Sequence, residues 1–166
     1  MWLEFDRDEV LVGHLGMSGQ FKIQKSSSEY EKHLRANFEL SNGKDMRFID
    51  QRTFGWLAVD QLVDEVPTLV SHIARDLFDP KFDKKAVVAK IAGKRGQIKK
   101  VILDQNVLSG IGNIYADEAL WYARIHPERI ACELTSTQIL NVVTAAQKVM
   151  HRALKAGGTS FDELYI

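Results

Sequence analysis

The sequence predicts an α+β protein: an antiparallel, β-sandwich-like domain over residues 1–77, followed by an all-α domain over residues 78–166. Short alternating apolar and polar segments separated by turn residues fill the first half, which is typical of antiparallel strands. The second half has longer segments with helical spacing of apolar residues, and capping residues at their ends. Charge divides in the same way, because residues 1–77 carry 9 basic and 13 acidic residues, whereas residues 78–166 carry 13 and 9.

Composition restricts the class of protein further. The 166 residues are 45% hydrophobic with a formal net charge of zero, as in an ordinary globular protein. A single cysteine, Cys132, excludes an internal disulfide and a zinc site built from cysteines. The five histidines show no metal-ligand spacing. We find neither a signal peptide nor an apolar run of about 18 residues, so we expect a cytoplasmic protein.

About six strands are predicted before residue 60. Segments 2–5 and 10–12 flank an acidic turn and are predicted to form a hairpin. A second hairpin is predicted around Asn42-Gly43, the strongest turn signal in the chain. The strands of that second hairpin are 37–40 and 46–49, with further strands at 20–23 and 54–59. Residues 60–74 are expected to be helical, with Pro67 interrupting the helix or starting a second one.

Four helices are predicted in the second half, after a connection between the domains at residues 79–83. Asp83 is a good N-cap for a helix over 84–92, and Thr135 opens a long helix that runs to about 155 and ends at Gly157-Gly158. Between them, an apolar helix around 98–102 and a helix over 113–123 flank the glycine-punctuated turn SGIGN. The apolar positions of the long helix that we expect in the core are Ile139, Leu140, Val143, Ala146, Met150 and Leu154.

The SGIGN turn is a candidate phosphate site. Gly110 and Gly112 lack a Cβ, so an oxyanion can approach the backbone, and the following helix offers unpaired N–H groups at its positive end. Lys99 and Lys100 could bring positive charge to the same place. Residues 81–100 hold eight basic residues and one acidic residue, a local basic stripe on a neutral chain. The alternatives are an ordinary helix corner with a glycine cap, and a solvated helix face.

Two loops in the first half combine glycines with large side chains. HLGMSG, residues 14–19, places Met17 between glycines, and DQRTFG, residues 50–55, places Arg52 and Phe54 beside Gly55. Proteins that extrude a base from DNA insert apolar wedges of this kind, and an arginine can occupy the vacated position. The alternative is that Met17 and Phe54 cap the edge of the sandwich.

These motifs together resemble one family. The run LDQNVLSGIGNIYADEALWYARIHP, residues 103–127, is similar to the helix–two-turn–helix motif of bacterial formamidopyrimidine-DNA glycosylase, which excises oxidised purines and cleaves the strand. HLGMSG and the DxRxFG pattern resemble its two intercalation loops. The resemblance implies that Met17, Arg52 and Phe54 fill the void left by the base. It favours the oxidised-purine branch over the endonuclease VIII branch, which generally lacks these loops. Gln51 and Thr53 depart from the family's pattern, which often has Pro and Arg there.

The resemblance also implies DNA contacts and base-excision repair of 8-oxoguanine and formamidopyrimidines. The residues that match phosphate-contacting or DNA-binding positions of the family are His33, Lys94, Lys99, Gly112 and Asn113, together with Arg52. Such contacts position a duplex without reading its sequence. Residues 158–161 resemble the family segment that leads into a mobile loop over the damaged base. The implied partner is double-stranded DNA with oxidised purines or abasic sites, at the bacterial nucleoid.

The family's chemistry needs groups that we do not find in the sequence. Its nucleophile is an N-terminal proline, followed by a glutamate that acts as acid and base, whereas this sequence begins Met-Trp-Leu-Glu. We therefore assign no catalytic residue, and we expect a fragment that is inactive alone and self-associates through exposed strand edges. The intact family binds one zinc through a C-terminal finger of four cysteines, which would lie beyond Ile166, so we expect no cofactor in this fragment.

Two other readings stay open at the level of sequence. One is a catalytically inactive protein that binds abasic or distorted DNA, which would use the same wedge and phosphate residues. The other is a helix–two-turn–helix that binds RNA, as in some ribosomal proteins, which would have no use for Met17, Arg52 and Phe54. Replacing Phe54 by Ala distinguishes them, because only the first two readings predict an effect on lesion binding.

Overall fold

The chain forms two units in the computed structural model, Met1–Ser71 and His72–Ile166. The structure describes residues 1–5 and 8–155. The predicted end of the long helix at Gly157-Gly158 and the segment 158–161 lie outside these residues. The α+β class is confirmed, because the strands of the described residues lie in the first unit and their α-helices in the second.

The described part of the first unit contains seven strands in two antiparallel sheets. They are β1 (Trp2–Glu4), β2 (Glu9–His14), β3 (Gln20–Lys25), β4 (Leu34–Glu39), β5 (Lys44–Ile49), β6 (Trp56–Val63) and β7 (Val66–Pro67). One sheet has the order β1-β2-β6-β7 and the other β3-β5-β4. Both predicted hairpins are confirmed, with Trp2 opposite Val12 and Asn37 opposite Arg47. A Cβ on Gly13 would lie 3.3 Å from the Phe21 ring, so the two sheets pack closely, as in a sandwich.

The predicted helix over residues 60–74 is wrong. β6 continues to Val63 because it pairs with β2 as far as Gln61 and with β7 at Leu62 and Val63. Asp64 and Glu65 then adopt left-handed backbone angles, with φ of 51° and 67°, and turn the chain into β7. A short 3-10 turn follows at Thr68–Val70, where the Asp60 carboxylate accepts a hydrogen bond from the Leu69 N–H at 2.7 Å. The apolar spacing that predicts a helix here instead belongs to a strand, a tight turn and a 3-10 turn.

The described part of the second unit contains four α-helices: α1 (Lys84–Ala92), α2 (Ile98–Leu103), α3 (Asn113–Ala123) and α4 (Ser136–Lys155). Asp83 caps α1 as predicted, accepting hydrogen bonds from the N–H groups of Lys85 and Ala86. Thr135 and Gln138 form a reciprocal capping box at the start of α4, with distances of 2.9 and 3.2 Å.

The core of the second unit is built from α1 to α4 and the turn before α3. Leu77 belongs to this core and accepts a hydrogen bond from Gln147 through its carbonyl oxygen. The division at Ser71 and His72 therefore falls six residues before the predicted boundary, and segment 79–83 lies inside the second unit. Two predicted core positions of α4, Leu140 and Leu154, are exposed. The buried face of α4 consists of Ile139, Val142, Val143, Ala146, Val149 and Ala153.

Candidate nucleic-acid interface

The structure brings Met17, Arg52 and Phe54 together on the surface of the first unit. Loop 14–19 leads from β2 to β3, and loop 50–55 leads from β5 to β6. The Arg52 Nη1 atom lies 3.3 Å from the Met17 sulfur, and the Arg52 guanidinium carbon lies 5.8 Å from the centre of the Phe54 ring. Met17 is 72% exposed and Phe54 is 60% exposed. Two large apolar side chains thus stand in solvent next to the same cation, which is a poor arrangement for a packed sandwich edge.

The two loops can approach this closely because of Gly16. Its φ is +59°, and a Cβ there would lie 2.7 Å from the carbonyl carbon of Phe54. Any other residue at position 16 would therefore push the loops apart as well as straining the backbone. Thr53, between Arg52 and Phe54, also adopts a left-handed conformation, with φ of 55°. The cluster is held by backbone geometry in addition to its side-chain contacts.

Asp50 also belongs to this site, although its sequence motif indicates no role for it. The residue is 1% exposed. One carboxylate oxygen accepts from the Ser18 hydroxyl at 2.5 Å, and the other accepts from the Gly55 N–H at 2.8 Å. These hydrogen bonds hold the pKa of Asp50 below the ordinary range of an aspartate, and the one from Ser18 makes the largest contribution. The DxRxFG pattern contains this aspartate, but only the structure shows that its partner is on the other loop.

His33 is placed beside the same two loops by its backbone. It lies one residue before β4 and is half-buried, and its carbonyl oxygen accepts from the Asp50 N–H at 3.0 Å. The neighbouring Arg35 donates from Nε to the Asp50 carbonyl oxygen at 2.8 Å. The first unit therefore gathers His33, Met17, Arg52 and Phe54 around the ends of loop 50–55.

In the second unit, the turn before α3 has the open geometry expected of an anion site. Gly112 is the N-cap of α3 in an extended conformation and makes no side-chain cap, and a Cβ on it would meet nothing within 4 Å. Gly112 and Asn113 are exposed. The first N–H groups of a helix have no partner within the helix, and they carry the positive end of its dipole. An oxyanion can therefore reach them without steric hindrance.

Gln105 shapes this turn, although no sequence motif marks it. Its amide nitrogen donates to the Ile111 carbonyl oxygen, and its amide oxygen accepts from the Gly110 N–H, both at 3.1 Å. Gly110 has φ of +82°, which a residue with a Cβ rarely adopts. One side chain and one left-handed glycine thus direct the backbone towards the start of α3.

The two predicted phosphate-binding lysines are both close to carboxylates of the second unit. The Lys99 ammonium lies 2.7 Å from the Asp117 carboxylate in α3. The Lys94 ammonium lies 4.0 Å from Asp104. Hydrogen bonds from the side chain and backbone N–H of Asn106 hold the pKa of Asp104 below its ordinary range, and charge attraction from Lys94 adds a smaller contribution. Asp117 follows Asn113 by four residues, so the two lie on one face of α3. Lys99 therefore comes within about one helical turn of the open N-terminus.

Comparison with known proteins decides the family. The formamidopyrimidine-DNA glycosylase N-terminal domain model matches residues 1–57, and the formamidopyrimidine-DNA glycosylase H2TH domain model matches residues 73–163. The chain belongs to the formamidopyrimidine-DNA glycosylase family. Formamidopyrimidine-DNA glycosylase of Rhodococcus jostii is 53% identical over 171 residues, an alignment that covers 100% of this chain and 59% of the relative. The chain thus spans about 59% of the length of this curated relative.

Solved structures of the family have the same fold as this chain. The Lactococcus lactis formamidopyrimidine-DNA glycosylase bound non-covalently to DNA with an abasic site superimposes with a TM-score of 0.79 at 27% identity, covering 98% of this chain and 64% of that one. MutM in complex with DNA containing carbocyclic 8-oxoguanine gives a TM-score of 0.79 at 28% identity, covering 96% and 60%. Both are family members solved with damaged DNA.

The zinc finger that the resemblance implies for the intact family has no counterpart among the residues that the structure describes. Within residues 1–5 and 8–155, no group of three or more His, Cys, Asp or Glu side chains could hold a metal ion, and Cys132 is an exposed free thiol. The described residues do not fit a zinc site of four cysteines. Among these same residues, no helix is long and apolar enough to span a membrane.

Proposed function

We propose that this chain is the damaged-DNA-recognition part of a glycosylase and abasic-site lyase that removes oxidised purines in base-excision repair. The observation that carries the proposal is the exposed cluster of Met17, Arg52 and Phe54. Enzymes of this class extrude the target nucleotide and must fill the gap that it leaves. Two apolar side chains and a cation on one pair of loops, 14–19 and 50–55, supply a wedge and a hydrogen-bond donor for the unpaired base. We call this pair the wedge loops.

The exposure of Met17 and Phe54 supports insertion into a base stack energetically. Each side chain gains about 1.5–3 kcal/mol when it moves from water into an apolar environment. Unstacking a base costs a few kcal/mol, and least at a damaged or abasic position. The wedge can therefore offset the cost at a lesion more readily than at an intact pair. This difference is the physical basis that we propose for discrimination between damaged and intact DNA.

The second unit would contribute affinity that does not depend on sequence. The open N-terminus of α3 at Gly112 and Asn113 suits a phosphate oxygen, and Lys94 and Lys99 add positive charge nearby. His33 would contact the backbone beside the wedge loops. The family members solved with abasic-site DNA and with 8-oxoguanine DNA support oxidised purines and abasic sites as the lesions. Because DNA is the proposed partner, we place the protein at the bacterial nucleoid.

The test of the wedge is Phe54→Ala, with Phe5→Ala as a matched control. Phe5 is an aromatic residue of the same unit that is 48% exposed and lies outside both loops. We expect F54A to lower affinity for a duplex with a tetrahydrofuran abasic analogue about tenfold, because stacking on a base is worth roughly 1–3 kcal/mol. Affinity for the undamaged duplex should change little, and F5A should change neither. Equal losses on both duplexes with F54A would contradict the proposed wedge.

A binder without catalytic activity is the second candidate for a polypeptide of residues 1–166 alone. The chemistry that the family resemblance implies uses a secondary amine that attacks C1′. Pro67, Pro80 and Pro127 are internal and have no free amine. We propose that this polypeptide recognises lesions without forming a Schiff base.

Borohydride trapping tests this candidate directly. The polypeptide is incubated with a duplex containing 8-oxoguanine in the presence of borohydride, beside a complete family member as positive control. We expect an adduct only in the control. An adduct with the 166-residue polypeptide would mean that one of its own amines replaces the proline, and the proposal of inactivity would fail while the wedge proposal stood.

A further inference from the structure

The strand β5 has a serine–aspartate pair at each of its ends. Near its start, Ser26 donates to Asp45 at 2.6 Å, and just after its end Ser18 donates to Asp50 at 2.5 Å. Both aspartates are buried, with 2% and 1% of their surface exposed. The two pairs differ in what else they hold. Asp45 also pairs with the buried Arg47, whereas the carboxylate of Asp50 holds backbone N–H groups of loop 50–55.

The hydrogen bonds of the second pair, Ser18 and Asp50, connect loop 14–19 with loop 50–55. Ser18 follows Met17, and its hydroxyl oxygen accepts from the Arg52 N–H at 2.9 Å while its proton is donated to Asp50. The Arg52 N–H also lies 3.2 Å from the same carboxylate oxygen. The other oxygen holds the Gly55 N–H, immediately after Phe54. The pair thus fixes the chain at or next to each of the three exposed side chains. Met17 precedes Ser18, Arg52 donates its own N–H, and Phe54 precedes Gly55.

A buried charge with this many donors restrains the loops strongly. Hydrogen bonds to an ionised carboxylate are about twice as strong as those between neutral groups. Removing the Ser18 hydroxyl takes one donor from Asp50 and one acceptor from Arg52 at the same time. The close approach of Gly16 to Phe54, 2.7 Å for a Cβ, means that a shift of one loop displaces the other. The two loops therefore form one mechanical unit whose internal connection is Ser18 and Asp50.

We propose that Ser18 and Asp50 are positioning residues that hold Met17, Arg52 and Phe54 in the arrangement needed to enter the base stack at a lesion. The inference rests on the proposed function, and it adds residues that touch no DNA in that proposal. Preorganisation of this kind matters because a wedge that must be ordered on binding loses affinity to the entropy of ordering. The pair would therefore contribute to discrimination between damaged and intact DNA, and little to general DNA binding.

The experiment compares Ser18→Ala with Ser26→Ala in the 166-residue polypeptide. Each change removes a hydroxyl that donates to a buried aspartate at one end of β5, so Ser26→Ala controls for the loss of such a hydrogen bond outside the wedge loops. Affinity is measured by fluorescence anisotropy for a duplex with a tetrahydrofuran abasic analogue and for the undamaged duplex. The base opposite the analogue is 2-aminopurine, whose emission at saturating protein reports insertion of the wedge independently of affinity. Thermal unfolding by circular dichroism verifies that each variant is folded.

We expect S18A to lower affinity for the abasic duplex about tenfold, as the loss of a charge-assisted hydrogen bond predicts, and to reduce the 2-aminopurine response at saturation. S26A should retain wild-type affinity for the abasic duplex and a wild-type 2-aminopurine response. Asp50→Asn should behave like S18A. If S18A and D50N both discriminated between the abasic and undamaged duplexes as the wild type does, with a normal 2-aminopurine response, the positioning role would be overturned. The proposal that Met17, Arg52 and Phe54 form a wedge would still stand. A wild-type chain that binds both duplexes equally, with no 2-aminopurine response, would overturn the proposed function instead.

Discussion

The Lys99 ammonium lies 2.7 Å from one carboxylate oxygen of Asp117 and 2.9 Å from the other. The lysine that the family resemblance assigns to a DNA phosphate is thus paired with an acidic residue of α3. Both side chains are partly exposed, so the pair is open to exchange. A phosphate that reaches Lys99 has to compete with a carboxylate that is already in contact.

Replacing Asp117 by Asn should therefore strengthen DNA binding. Exposed ion pairs are worth about 0.2–1 kcal/mol, so the expected gain is up to about fivefold. The gain should be the same for undamaged and abasic duplexes, because phosphate contacts carry no lesion information. Fluorescence anisotropy at several salt concentrations measures it. Glu118→Gln is the matched control, since it removes the same charge from the next residue of α3, which points in a different direction.

This prediction would fail if E118Q strengthened binding as much as D117N. In that case the effect would come from the general reduction of negative charge near DNA and would have no connection with Lys99. Lys99→Ala tests the phosphate contact of Lys99 independently. It should weaken binding to both duplexes and reduce the dependence of log K on log salt by about one. A loss confined to damaged DNA would contradict the phosphate assignment of Lys99.

Gly112→Ser should have opposite effects on stability and on DNA binding. Gly112 has an extended backbone and an open Cβ position, so a side chain is accommodated. A serine hydroxyl at an N-cap accepts from the second or third N–H of the helix, and serine is preferred to glycine there by a few tenths of a kcal/mol. The same hydroxyl would occupy the donors that we propose for a phosphate. We expect the melting temperature to hold or rise slightly while affinity falls for every duplex.

The control for this change is Gly110→Ser in the same turn. Gly110 has φ of +82°, so a side chain there strains the backbone and should lower the melting temperature. Parallel binding curves and melting curves separate the two cases. If G112S kept full affinity for undamaged and abasic DNA, the start of α3 would not be a phosphate site.

Much of the fold could be predicted from local signals, whereas the connections within the site could not. Asp83 and the Asn42-Gly43 turn act on neighbouring residues, so their effects can be predicted from spacing. The partner of Asp50 is 32 positions earlier in the chain, and periodicity carries no information about such a pair. The helix prediction after Asp60 is wrong because the turn there uses Asp64 and Glu65 in left-handed conformations that glycine or asparagine usually signals.

Arg124→Gly should stabilise the second unit. Arg124 ends α3 in a left-handed conformation with φ of 55°, where its N–H bonds to the carbonyl oxygens of Leu120 and Trp121. A residue with a Cβ is disfavoured there by about 1–2 kcal/mol, and glycine is the usual C-terminal residue for this geometry. We expect a higher melting temperature for R124G. Ala123→Gly, one position earlier and inside the helix, should lower the melting temperature, because glycine there costs about 1 kcal/mol in free energy of unfolding. Equal shifts from both changes would contradict the assigned helix end.

Acid should destabilise the first unit partly through Asp50. Its pKa is lowered in the folded protein by the Ser18 hydroxyl and the Gly55 N–H, so the folded state binds this proton less readily than the unfolded state does. The carboxylate's contribution to stability is therefore complete above the ordinary aspartate pKa of about 3.9 and is lost as pH falls through the lower folded value. Asp50→Asn imitates the protonated side chain. We expect D50N to melt below the wild type at pH 7, and the gap to narrow as the pH is lowered below about 4. Melting curves by circular dichroism from about pH 7 to acid measure the gap, and a gap independent of pH would show that the negative charge of Asp50 does not hold the loops.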